Sequence, residues 1–151
     1  MRNIRKMIRK ILTEELKPTV VYSAVVIERF EDIGKLDLIF SKYIENGWKK
    51  PTHYHMTIGP GKFPESLYLK GDLDKEVTLE ITSIGISEKA IALGVSGYYS
   101  RNDNPHITIA FNKENGGNPE DSKVIENWGH IDNFYVTGII REVGENNLVI
   151  K

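Results

Sequence analysis

The 151 residues contain four histidines, and two of them are followed at the same offset by the same residue type. "HMTI" begins at His55 and "HITI" at His106, so the pair His55 and Thr57 is echoed by His106 and Thr108. Each motif sits in a short apolar run that reads as a strand. Strand side chains alternate, so each histidine shares a face with its threonine, while Met56 and Ile58, or Ile107 and Ile109, take the other face. An imidazole, with an unperturbed pKa of about 6.5, gives or takes a proton near neutrality. Two imidazoles on opposite sides of a phosphorus would act as base and acid for an in-line displacement. Two threonine hydroxyls would donate to the non-bridging oxygens as charge develops. That chemistry requires no metal or cofactor. A single His-x-Thr pair is ordinary in a half-buried strand; the matched recurrence is what points to a site.

Other residues join the list of candidates. His53 shares the face of His55 and could line a cleft or be a satisfied structural histidine. Tyr22, Trp48, Tyr98 and Tyr99 are candidates to stack on bases, since an aromatic face accepts any base. Arg101, just before the second motif, is a candidate to meet a phosphate. His130 in "NWGHI" reads as a loop residue. His53, His55 and a distant His106 also match the make-up of a three-histidine zinc site with a bound water as nucleophile. That alternative leaves the matched Thr57 and Thr108 without a role. The glycine-rich "ENGGNPEDS" (114–122) follows the second motif as a cover for a cleft or as a simple turn.

These residues need elements to hold them. Ile4, Met7, Ile8, Ile11 and Leu12 recur at helical spacing before Pro18, predicting an amphipathic basic helix within 1–17. "TVVYSAVVI" (19–27) predicts a buried strand, and "FEDIGKLDLIFSKYIEN" (30–46) a helix stopped by Gly47. Residues 76–84 and 90–95 alternate as a hairpin about Ser87–Lys89. Residues 118–128 read as a short helix with Asn118 as cap and Pro119 at its first position. "NFYVTGIIREV" and "NLVIK" read as a closing hairpin. No Pro/Gly/Ser linker divides the chain, so 18–151 is expected to be a single α+β domain built of two similar halves.

Composition narrows the partners. Apolar residues make up 40% and charged residues 27%, a globular balance. There are no cysteines, which excludes disulfides and thiolate metal sites and fits a reducing compartment. No apolar run approaches the roughly 18–20 residues of a membrane span, and the charged N-terminus lacks the apolar core of a secretory signal. A cytoplasmic location is therefore expected. Net charge is −1, with five basic residues and no acid in the first thirteen, leaving −6 on the rest. That acidic body suits a small nucleotide or an RNA end better than a long polyanion. The basic helix offers a surface for self-association or for a basic contact.

"HMTI" and "HITI" resemble the signature of the 2H phosphoesterase superfamily (LigT-like), named for two H-x-[ST]-hydrophobic motifs. The neighbouring pattern over residues 19–143 is similar too: a strand and helix before the first motif, a hairpin between the two, and Pro105 directly before the second histidine. The resemblance implies a bilobal fold of two antiparallel sheets with pseudo-two-fold symmetry around a central cleft, plus the extra N-terminal helix. It implies a hydrolase that cleaves ribonucleotide phosphodiesters without metal, at 2′,3′-cyclic phosphate ends, 2′–5′ linkages or small cyclic and oligonucleotides. His55, Thr57, His106 and Thr108 would be its catalytic set. The superfamily also includes phage enzymes that linearise cyclic oligonucleotide signals, an alternative role. A non-catalytic nucleotide-binding module on the same fold is another.

Overall fold

The computed structural model describes residues 19–43, 47–64, 66 and 69–150; the helix expected near the N-terminus lies outside them. Alternation governs what is seen. Strand β1 (Tyr22–Val26) is antiparallel to β3 (His55–Pro60) on one edge and to β7 (Trp128–Val143) on the other. Strand β7 continues to β4 (Glu76–Ile86), and β4 to its hairpin partner β5 (Ala90–Ser96). Strand β6 (His106–Asn112) then pairs with β5 on one edge and with β3 on the other. The six strands close into an antiparallel barrel, and the two-residue β2 (Trp48–Lys49) adds an outer strand against Phe111 and Asn112 of β6.

The barrel corrects the expectation of an α+β protein with two sheets in two lobes. Strand β6 is the reason. It uses both edges, so the halves that would have formed separate sheets are zipped into one closed wall. Helix content among the described residues is also lower than expected for them. Only α1 (Phe30–Ser41) is an α-helix among the described residues. The helix expected over 118–128 is a six-residue 3-10 turn, Pro119–Val124, held by a reciprocal cap between Asn118 and Asp121. Its length is far below what sustains an α-helix without heavy burial. The closing hairpin is reduced to a single bridge between Val143 and Val149. The β4–β5 hairpin forms as expected, around Ser87, whose hydroxyl accepts from the amides of Lys89 and Ala90.

Inside the barrel lie Val25, Met56, Ile58, Leu79, Ile81, Leu93, Ile107, Ile109 and Ile140, each essentially inaccessible to water. Each such side chain contributes about 1.5–3 kcal/mol by burial. Helix α1 adds Leu36 to the same core and sets Ile33, Ile39 and Phe40 against it. Its buried Asp32 accepts from the Thr137 amide at 3.1 Å, tying the helix to β7. The opposite faces of the same strands carry two small apolar clusters. One joins Ala24, Val26 and Val143; the other joins Ala90, Ala92 and Ile125 with Trp128. The outer wall between these clusters holds the two motifs. Among the described residues no helix is long and apolar enough to cross a membrane.

Candidate active site

Met56 of β3 and Ile107 of β6 are register partners and both point into the core. One step either way, His55 therefore stands opposite Thr108, and Thr57 opposite His106. All four project from the outer wall, and all four line one cleft of about 680 Å³. The two-fold relation is that of any antiparallel strand pair, local to β3 and β6, and does not relate two lobes. Directly opposed side chains start about 4.5–5.5 Å apart at Cβ, so the two imidazoles are diagonal neighbours.

Both rings are held in the same way. His106 Nδ1 lies 2.9 Å from the carbonyl oxygen of Asn104, and His55 Nδ1 lies 3.2 Å from that of His53. A carbonyl can only accept, so His106 Nδ1 carries the hydrogen and donates it; His55 Nδ1 does the same in the tautomer that donates to the His53 carbonyl, with His53 Nδ1 also beside it at 3.1 Å. Nε2 is left as the free nitrogen of each ring. Burial pushes the His55 pKa down to about 4, helped by the neighbouring His53 and by His106. Burial also lowers His106; the Asn104 carbonyl opposes this and the Lys123 cation adds to it.

The threonines differ. Thr108 Oγ1 is 2.8 Å from the buried Ser122 hydroxyl and 3.3 Å from the carbonyl of Pro119. Its one hydrogen is thus committed within the protein. Thr57 Oγ1 has no protein partner among the described residues, and its face of the strand is open to the cleft. Its backbone carbonyl accepts from Ser100 Oγ at 2.7 Å, and the Arg101 amide donates to Ile58 at 2.8 Å. The segment before β6 thereby continues the wall beside β3 and lays the Arg101 side chain along Gly59. A Cβ at Gly59 would come within 2.9 Å of Arg101 Cδ, so the absence of a side chain there makes room for the guanidinium stem.

The cleft gathers some of the sequence candidates and leaves others out. Tyr22 lines it, stacked on His55 with ring centres 5.2 Å apart. Its hydroxyl donates to Asn147 Oδ1 at 2.8 Å, and burial pushes its pKa up to about 12, so the phenol keeps its proton. Arg101 lines the cleft as well. Trp48 instead packs on the core from β2. Tyr98 donates to Asp72 at 2.9 Å, and Tyr99 is half exposed; neither lines the cleft. His53 stands behind His55, with the two Nδ1 atoms 3.1 Å apart. Burial lowers its pKa, and its Nε2 is buried without a partner among the described residues. The three imidazoles do not converge on one point, and the described residues contain no group of three metal-ligating side chains. His130 is exposed on β7, in a strand rather than the expected loop.

Lys123, Asn118, Asn147 and Ser122 were not anticipated. Lys123 and Asn118 come from the 3-10 turn that walls the cleft, so the glycine-rich 114–122 stretch does bring its end to the site. Asn147 sits in a turn where Asn146 and Asn147 both have positive φ (57° and 58°). Adjacent asparagines are the one sequence signal for that geometry, because asparagine tolerates the left-handed region. Comparison with protein-family models, with curated proteins and with solved structures returns no significant match.

Proposed function

We propose that this protein is a phosphodiesterase that acts on ribonucleotide phosphodiesters by two-histidine acid–base catalysis without metal, as its motifs' resemblance to the 2H phosphoesterases implies. The barrel differs from the fold that goes with that resemblance, so the proposal rests on the motifs and on the site. The observation that carries it is the matched pinning of His55 and His106. Two rings on adjacent strands donate Nδ1–H to a carbonyl two residues back, which leaves two Nε2 atoms for one cleft. Arg101 and Lys123 supply positive charge to the same cleft, against one carboxylate, Glu120. Its volume falls in the range of small-ligand sites, about 300–1,000 Å³.

His55 is the base. It is the more strongly held in its neutral form, and its Nε2 accepts the proton of a ribose 2′-hydroxyl. The O2′–P bond forms as the P–O5′ bond breaks, and His106 Nε2 delivers its proton to O5′. The 2′-oxygen is already beside the phosphorus, which favours its attack through proximity. Thr57 donates to a non-bridging oxygen, and Arg101 and Lys123 offset the developing charge. In the second step the roles reverse: His106 takes a proton from water, the water oxygen bonds to phosphorus, and His55 protonates O2′ as the ring opens. The same bond changes would linearise a cyclic oligonucleotide.

Turnover of adenylyl-3′,5′-adenosine and of adenosine 2′,3′-cyclic phosphate in EDTA tests the proposal. Both are expected to react. The dinucleotide with a 2′-deoxyribose at the cleaved linkage should bind and remain intact. Its cleavage to a 5′-phosphate, or activity restored only by an added divalent ion, would overturn the mechanism.

A further inference from the structure

A second cavity, of about 370 Å³, opens on the same outer wall. Thr82, Ser83, Gly94, Asn104, Pro105 and Trp128 line it. Its position follows from the register. Gly94 of β5 is the direct partner of His106, so the floor of this cavity begins one strand from the imidazole. The Asn104–Pro105 segment lines the cavity and, through the Asn104 carbonyl, pins His106 of the cleft. Gly94 is what keeps the space open. A Cβ there would collide with Ser83 Oγ and would lie 3.7 Å from Cζ3 of Trp128.

Trp128 is a fixed plate. Its Nε1 donates to the Ile125 carbonyl at 2.9 Å, and its ring packs with Ala90, Ala92 and Ile125. Around it stand hydroxyls and an amide, with no charged side chain in the lining. An aromatic plate edged by neutral donors and acceptors suits a planar heterocycle and not a phosphate, whereas the cations Arg101 and Lys123 face the cleft.

We propose that this cavity is the subsite for the nucleobase of the leaving nucleotide, with Trp128 as its stacking platform. The inference rests on the proposed phosphodiesterase reading. His106, the proton donor to the departing O5′, lies between the cleft and this cavity, so the nucleoside attached to that oxygen extends over Gly94 towards Trp128. Tyr22, on the His55 side, is left for the nucleotide that bears the attacking hydroxyl. A 2′,3′-cyclic phosphate has no leaving nucleotide and does not reach Trp128.

Two measurements test this. In the first, Trp128→Leu and Trp128→Phe are compared on adenylyl-3′,5′-adenosine and on adenosine 2′,3′-cyclic phosphate. The leucine variant should raise the ratio of the two KM values about 10-fold, the loss of one stacked base, and phenylalanine should restore most of it. An unchanged ratio overturns the proposal. In the second, Trp48→Phe leaves Trp128 as the sole indole. The non-cleavable 2′-deoxy dinucleotide should quench its emission, and adenosine 3′-phosphate at equal occupancy should not. Equal quenching by both, or none, overturns the proposal. This second measurement uses the native Trp128 and needs no turnover. A protein that fails to cleave either substrate would defeat the phosphodiesterase reading and still score the subsite.

Discussion

The two halves of the site share a motif and differ in what surrounds it. On β3, His55 stacks on Tyr22 and meets His53 at a tilt, and the Thr57 hydroxyl has no partner among the described residues. On β6, His106 has a lysine as neighbour, and Thr108 is bonded to Ser122 and Pro119. Repetition in sequence has therefore not produced repetition in chemistry. One half combines a neutral imidazole with a hydroxyl that can reach a ligand. The other combines an imidazole in a cationic setting with a hydroxyl that holds the 3-10 turn in place. The stronger depression of the His55 pKa is what the proposed role of His55 as base rests on, a distinction the motifs alone do not make.

The largest effects should come where the halves are alike. His55→Ala and His106→Ala should each lower kcat/KM at least about 10²-fold, since each removes a positioned proton-transfer group. The double variant should be little worse than either single one, because the two act as a unit. A harmless His55→Ala beside a crippling His53→Ala would sink the assignment of roles on β3.

The threonines should then separate the halves. Thr57→Val should lower kcat about 10- to 10²-fold, the worth of one hydrogen bond to charge, with the melting temperature unchanged. Thr108→Val should do the reverse. It strands the buried Ser122 hydroxyl, at about 1–3 kcal/mol of stability, and lowers kcat less than Thr57→Val does. Thermal unfolding and steady-state kinetics on the same two proteins decide the matter; equal kinetic losses with equal stabilities would erase the distinction.

A smaller effect concerns pH. The base must be neutral and the acid protonated, so kcat/KM should be bell-shaped. Its acid limb should lie near 4, where His55 takes up its proton. Its alkaline limb should lie below 6.5, where His106, lowered by burial, loses its own. Lys123→Gln removes a cation that disfavours the protonated ring, so the alkaline limb should move to higher pH while the acid limb stays. An alkaline limb that stays where it was would show that the group titrating there is not the imidazole beside Lys123.

Much of the local structure was legible. Alternation placed Met56, Ile58, Ile107 and Ile109 behind the motif residues, and the β4–β5 hairpin followed from the same pattern. The barrel was not legible, because alternation says which face a residue takes but not which strand it sits beside. The pairing of β6 with both β3 and β5 is long-range information. In the candidate site, the shared face of His55, Thr57, His106 and Thr108 was readable from the repeated motif and its alternation, and all four line one cleft with Arg101. Lys123 and Asn147 come from turns, where no period exists to place a side chain. Trp48 and Tyr98 were misplaced because aromatic character does not distinguish core from cleft.

The join between β3 and β6 has a further consequence. These strands meet at a single register pair, Met56 and Ile107, between segments 51 positions apart, whereas β4 and β7 pair over nine. A contact of that separation closes more slowly than a local hairpin such as β4–β5. The cleft is whole only while this join is closed, because His55 and Thr57 come from one side of it and His106 and Thr108 from the other. Hydrogen exchange in the folded protein should find the amides on either side of this seam the quickest to open among the core strands. A chain with the seam parted would retain most of its strand pairing and present two solitary histidines in place of a facing pair.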